Sequence, residues 1–330
     1  MDRRAFLGTL ASGFLAAPLA AEAQQARRLP QLCFLTFDPG TSHSPSPRFG
    51  AFFQGLQALG YVNERTIAIH YLSANGRSER FPELVAECLR LKPDIIAVTT
   101  TPAAHLAKKA THTVPIVMVA LGDPQGTGLV ESLARPGGNI TGISQMTSGL
   151  AAKRLELLKE AVPKIPRVLV LSFLVDPIAP LQVKALKEVA PSLGLTLQIR
   201  DIQTAEDLPA AFDAGVRERA QGLLTTAESI FRAQRARVTE LAARHRLPAI
   251  YPYSAFVTDA DGLMAYSIND SDLHARAATY VDKILKGAKP SGLAVQQPTK
   301  FELVINLKTA KALGLSIPPS LLQRADQVIE

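Results

Sequence analysis

Tryptophan is absent from these 330 residues, and there are only two cysteines, Cys33 and Cys88. So few cysteines exclude a disulfide-framed scaffold and a cysteine-rich metal module. One lies in a predicted strand and one in a predicted helix, so they read as buried free thiols, with a disulfide open in an oxidising compartment. The six histidines, His43, His70, His105, His112, His245 and His274, show no H-E-x-x-H or other tight ligand spacing, which argues against a metal centre. A G-x-S-x-G elbow and a P-loop are also missing, so neither hydrolase nor nucleotide chemistry has a motif to rest on. Gly126-Thr127-Gly128 lacks the full glycine fingerprint and follows the fourth predicted strand, so it reads as a tight turn. The expectation is a protein that is not an enzyme and carries no cofactor.

Past residue 23, no apolar run reaches the ~20 residues of a membrane-spanning helix. The net charge is +7, but Arg232, Arg235, Arg237, Arg244 and Arg246 are spread along predicted helices and no long basic run occurs. That pattern describes a solvated, mildly basic surface and not a nucleic-acid footprint.

The start of the chain is informative. Arg3-Arg4 precede Ala5-Phe6-Leu7, an apolar stretch runs to Ala20, and Ala21-Glu22-Ala23 gives a small-x-small end. A basic start, a short apolar core and an A-x-A end read as a secretory signal over residues 1–23. The paired arginines fit the twin-arginine route, with an ordinary Sec signal as the alternative. No cysteine follows the cleavage site, so a lipid anchor is not expected. The mature chain would begin near Gln24 and be soluble in the periplasm, where ATP and NAD(P)H are scarce.

Apolar residues make up 47% of the chain, enough for two full hydrophobic cores. Short apolar runs at 32–37, 66–71, 95–99, 116–119 and 140–143 alternate with amphipathic stretches at 47–60, 78–91, 102–111 and 126–134. After a helix at 148–161 the pattern restarts, with strands at 168–173, 196–200, 222–225, 249–251 and 263–266 and helices at 177–193, 205–219, 229–245 and 271–286. Strands spaced by helices predict an α/β protein of two doubly wound, Rossmann-like lobes with parallel sheets. Val114-Pro115-Ile116-Val117 and Leu247-Pro248-Ala249-Ile250 mark corresponding points in the two halves.

Asp38-Pro39, Thr101-Pro102, Asp123-Pro124 and Asp176-Pro177 each follow an apolar run. Asp or Thr caps a helix and Pro fits its first turn, so these dipeptides predict strand-to-helix turns at the carboxyl ends of strands. Ligands of open parallel sheets bind outside those ends, and a cleft between two lobes is a standard ligand site. The candidate ligand-binding residues are therefore Phe37, Asp38, Thr100, Thr101 and Asp123 on the first lobe and Asp176, Thr226, Glu228 and Tyr253 on the second. Thr100 and Thr101 lead into a helix N-terminus suited to a carboxylate, and Asp123 could accept an ammonium group. For each residue, capping or core packing is the competing role.

Several motifs carry a resemblance. Gly122-Asp123-Pro124, Gly128-Leu129-Val130 and the run Arg135-Pro136-Gly137-Gly138-Asn139-Ile140-Thr141-Gly142 are similar to the exported substrate-binding proteins of ABC transporters related to the tryptophan-binding type. The tail resembles that family more specifically, through Ile284 to Pro290, Gln297 to Asn306 and Ala310-Lys311-Ala312-Leu313-Gly314-Leu315. The resemblance spans essentially the whole mature chain. It implies a type I periplasmic-binding architecture with three interlobe crossovers and a ligand enclosed by hinge closure. The lobes would be 31–142 plus about 271–299, and 148–266 plus about 301–330. It further implies a monomer that delivers a small polar ligand, an amino acid or related carboxylate, to ABC permease subunits in the membrane. Presentation of the closed form to a membrane sensor kinase or chemoreceptor is the alternative, with an exported hydrolase that uses the cleft as a lesser one. Members of known specificity favour aromatic amino acids. By position, the loop after the first strand, Thr100, Thr101 and Asp123 fall at the cleft. Asp261 and Ser267 stand where the family usually has glycine, and the loop from Asp38 to Pro47 is unusual, so ligand identity is left open.

Overall fold

The computed structural model describes residues 28–330, so the signal segment and the Gln24 start lie outside the described residues. The first sheet is built from β1 (Gln31–Thr36), β2 (Ala68–Ser73), β3 (Ile95–Val98), β4 (Ile116–Leu121) and β5 (Ile140–Ser144). All are parallel, in the order β2-β1-β3-β4-β5. Every residue of β3 and β4 is buried, as expected of parallel strands covered on both faces. The crossovers carry α1 (Gly50–Ala58), α2 (Phe81–Arg90) and α3 (Thr101–Ala110). In α2 the buried residues Phe81, Leu84, Val85 and Cys88 repeat at the helical period, which sets one stripe of the helix against the sheet. Cys33 and Cys88 meet there as buried free thiols.

The second lobe opens with α4 (Thr147–Ala161) and runs through β6 (Arg167–Ser172), α5 (Ala179–Val189), β7 (Thr196–Asp201), α6 (Leu208–Arg217), β8 (Gly222–Thr225), α7 (Ser229–Ala233), α8 (Arg235–Arg244), β9 (Ala249–Tyr251), α9 (Ala255–Thr258) and β10 (Met264–Ile268). The chain then crosses back. Helix α10 (Asp270–Leu285) packs on α1, β4 and β5 of the first lobe. Its Leu273, Ala277, Ala278, Val281 and Ile284 join the same core as Phe34, Phe52 and Val117. A last crossing returns β11 (Phe301–Asn306), α11 (Leu307–Ala312), α12 (Pro319–Leu322) and β12 (Gln327–Ile329) to the second sheet. That sheet has seven strands in the order β12-β11-β10-β9-β8-β6-β7.

Four expectations need correction. Strand β11 pairs antiparallel with β10, so the second sheet is mostly and not wholly parallel. The chain re-enters this sheet from the first lobe and therefore runs the other way. No helix forms at 126–134. Asp123 Oδ1 instead accepts from Gly126 N at 2.9 Å, Asp123 O accepts from Thr127 N, and the Pro124 carbonyl takes the N–H groups of Leu129 and Val130. Leu129 and Val130 are pinned into the core from this loop, so their apolar spacing mimics a helix without being one. Asp38-Pro39 begins no helix either; helical structure starts only at Pro47, because Arg48 takes the Asp38 carboxylate. The segment 229–245 is two helices, broken at Gln234.

Gly142 gives the Ile-Thr-Gly motif a physical meaning. It has φ +136°, and a Cβ there would lie 2.4 Å from Met118 O. The adjacent stretch of β4 carries a register irregularity between Met118 and Leu121, with Ala120 in the left-handed region at φ +56°. This bulge re-aims the end of β4 toward the space between the lobes. Asp261 also has positive φ, +53°, a conformation that Asp tolerates better than most residues.

Candidate functional site

A cavity lies between the lobes, at the carboxyl ends of both sets of parallel strands. Its volume is only about 20 Å³, little more than room for one water, within about 310 Å³ of space between atoms that includes open solvent. On the first lobe its wall is Arg48, Thr99, Thr100, Thr101, Ala120, Leu121, Gly122 and Gln145; on the second it is Asp176, Ile178, Ala227, Ser229 and Tyr253.

The first-lobe wall donates hydrogen bonds. Thr100 caps α3, its Oγ1 accepting from Ala103 N, and Thr101 is the first helical residue. The positive end of a ten-residue helix thus faces the cavity. Thr99 Oγ1 and Gln145 Nε2 are buried and have no hydrogen-bond partner among the described residues. Buried polar groups are rarely left so. Arg48 adds a guanidinium whose side chain is only 7% exposed; its Nη1 donates to Asp38 Oδ2 at 3.0 Å, and its Nε has no partner.

The second-lobe wall is acidic. Asp176 is 6% exposed and accepts one hydrogen bond, from Ile178 N at 3.1 Å. Burial pushes its carboxyl up to about 7. Among the described residues no salt bridge offsets it, the nearby guanidiniums of Arg48 and Arg232 being paired with Asp38 and Asp270. Glu228 lies behind it, accepting from Gln182 Nε2 at 2.8 Å and bonded to the Thr226 hydroxyl. Burial first, then the neighbouring Asp176, drives Glu228 well above the usual carboxylate range. Tyr253 donates its O–H to Ala227 O at 2.7 Å, and one ring face is covered by the Arg232 guanidinium at 4.6 Å.

Four of the nine sequence candidates therefore share this cavity: Thr100, Thr101, Asp176 and Tyr253. The others do not line it. Asp38 acts through Arg48, and Thr226 and Glu228 form the buried layer behind Asp176. The Asp123 carboxylate is taken up by Gly126 N and by Ser148 Oγ at 2.7 Å. Phe37 lines a neighbouring hollow between the lobes, together with Phe173, Ile230 and Arg77. The cavity residues outside the sequence candidates include the polar Arg48, Thr99, Gln145 and Ser229, and Gly122. Arg48 had a signal in the unusual Asp38–Pro47 loop that ends beside it; Gln145 had none. Among the described residues, no cluster of His, Cys, Asp or Glu could hold a metal ion, and no helix is long and apolar enough to cross a membrane.

Two lobes, one with a parallel and one with a mostly parallel sheet, crossed three times by the chain and with a polar cavity at the facing strand ends, define a two-lobed ligand-binding protein. The chain belongs to the ABC transporter substrate binding protein family, whose model matches residues 46–329. It is 26% identical over 264 residues to a tyrosine-binding protein of Clostridioides difficile, covering 80% of this chain and 75% of that one. The fold superposes with a TM-score of 0.80 on the ABC domain from Streptococcus pneumonia in complex with L-Trp, at 25% identity over 90% of this chain and 100% of that one. Against the ligand-free, open structure of an adhesive substrate binding protein from Clostridium difficile the TM-score is 0.62, at 24% identity over 91% of this chain and 99% of that one. Membership of that family makes this chain a substrate-binding protein of the ABC type rather than an enzyme.

Proposed function

We propose that this protein is the exported, periplasmic component of an ABC importer, and that its lobes, 31–142 with about 271–299 and 148–266 with about 301–330, close by a hinge over a small zwitterion. The observation that carries the reading is the polarity of the cavity. One wall offers a helix N-terminus, three threonines, an unpartnered Gln145 amide and a guanidinium; the other offers a buried carboxyl with no cation. The chemical complement of these walls is an α-amino acid, with its carboxylate at Thr100, Thr101 and Arg48 and its ammonium at Asp176, for which the lobes would have to part slightly from this arrangement. The ammonium site thus moves from Asp123 to Asp176. The hollow floored by Phe37, Phe173 and Ile230 adjoins Ser229 and gives an apolar side chain a wall, in keeping with the tyrosine and tryptophan named for the relatives. The better match to the Trp-bound structure than to the open one supports a closed arrangement of the lobes. Released ligand would pass to membrane permease subunits.

Thermal unfolding of ligand-stripped protein against amino acids tests this. A true ligand at about 100 times its Kd adds about 2.7 kcal/mol of stability. The same compounds as amides or decarboxylated amines are expected to give no shift, because the donor wall then lacks its anion. Arg48→Gln is expected to weaken the amino acid about tenfold, the scale of one charge-assisted hydrogen bond. A panel in which amines and acids shift the protein equally would overturn the assignment.

A further inference from the structure

One side chain of the second lobe reaches into a charged notch on the first. Arg232 lies on α7, and the break at Gln234 lets this short helix turn toward the cleft. Its Nη1 pairs with Asp270 Oδ2 at the start of α10, the helix that packs on the first lobe. Both side chains are largely buried, at 14% and 18% exposure. The notch also contains the Asp38–Arg48 pair, and His274 donates from Nδ1 to Arg48 O at 3.0 Å. On its own lobe Arg232 lies over the Tyr253 ring that lines the ligand cavity. Asp270 Oδ1 and His274 Nε2 are buried without partners among the described residues, so Arg232 is the group that answers Asp270.

The geometry points to an interlobe latch: the Arg232–Asp270 pair holds the lobes closed in the absence of ligand, and it ties closure to the wall that the ligand touches. The charges bear this out. Burial alone would raise the Asp270 carboxyl, but Arg232 first, then His274 and Arg48, hold it down at about 2. With Arg232 withdrawn, that carboxylate would face only Arg48, already engaged by Asp38, and a His274 that burial keeps neutral, down at about 4. A buried ion pair that loses one partner leaves its charge uncompensated, so separating the lobes has a cost. A chain that populates the closed state before ligand arrives binds by selection of that state.

The inference rests on hinge closure but not on the identity of the ligand, and its test uses none. Small-angle X-ray scattering of ligand-stripped protein is expected to fit the closed coordinates. Arg232→Gln and Asp270→Asn are each expected to give a larger radius of gyration, and the charge-swapped pair Arg232→Asp with Asp270→Arg to restore the compact profile. Circular dichroism on the same samples separates opening from unfolding. Wild type and Arg232→Gln scattering alike, whether both compact or both open, would overturn the latch. If the latch scatters as expected but no amino acid shifts unfolding, the ligand reading fails and the latch stands.

Discussion

Asp176→Asn is expected to make the ligand-free protein more stable and the ligand-bound protein weaker. The carboxyl is buried with one hydrogen bond, and burial raises it from 3.8 to about 7. The native state therefore holds a proton that the unfolded chain releases. Stability is greatest below the unfolded value, falls as pH rises from about 4 to about 7, and is flat above that. The accumulated cost is on the order of 4 kcal/mol, and asparagine, which never ionises, removes it. Urea unfolding should show the variant more stable than wild type at about pH 8 and equal to it at about pH 4. Calorimetry should show the converse for binding. An ammonium group pairs only with the ionised form, so wild-type binding releases a proton near neutrality and weakens about tenfold per pH unit below about pH 7. Equal stability of the two proteins at both pH values would show that Asp176 is an ordinary carboxylate.

Gly122→Ala should weaken ligand binding about a hundredfold, near 2.7 kcal/mol, and should shift the ligand-free protein from its closed toward an open arrangement while leaving each lobe folded. Gly122 follows β4 on the first lobe, and a Cβ placed there would stand 2.7 Å from Ile178 Cγ1 on the second and 2.9 Å from Thr147 Oγ1. Overpacking of this kind costs about 1–3 kcal/mol, and here it falls on the closed state alone, because the clash is between lobes. Pairing the substitution with Ile178→Ala should recover most of the affinity, as expected of residues in direct contact. Unchanged affinity in Gly122→Ala would mean that the bound lobes stand further apart than this.

The fold was legible because parallel strands buried on both faces leave dense apolar runs, such as Ile116 to Leu121, and because α3 and its Thr100-Thr101-Pro102 start obey local capping rules. Thr100, Thr101, Asp176 and Tyr253 could be found because each ends a strand or opens a helix. Long-range pairings left no such trace. Asp38 reads as a cap until Arg48, ten residues on, takes its carboxylate. Asp123 reads as a cleft acid until Gly126 and Ser148 consume both oxygens. Gln145 and Gly122 matter only because the bulge in β4 and a different lobe's Ile178 come near them, and neither fact has a local signature. The antiparallel direction of β11 was hidden for the same reason: it depends on where the chain re-enters the sheet.

The position of α10 bears on how the chain can fold at all. The last strand of the first sheet ends at Ser144, yet the helix that covers one face of that sheet begins at Asp270. Until that helix is made, the side chains of Ala97, Val117, Val119 and Ile143 lack their main cover on that side, where α1 supplies only Phe52 and Leu56. A nascent chain therefore carries an incompletely covered, aggregation-prone face through the whole synthesis of the second lobe. A fragment stopping at Ser144 inherits the same defect, so the first lobe is a spatial unit without being a heritable, excisable one. Nearly the entire chain must be synthesised before the first half is sound.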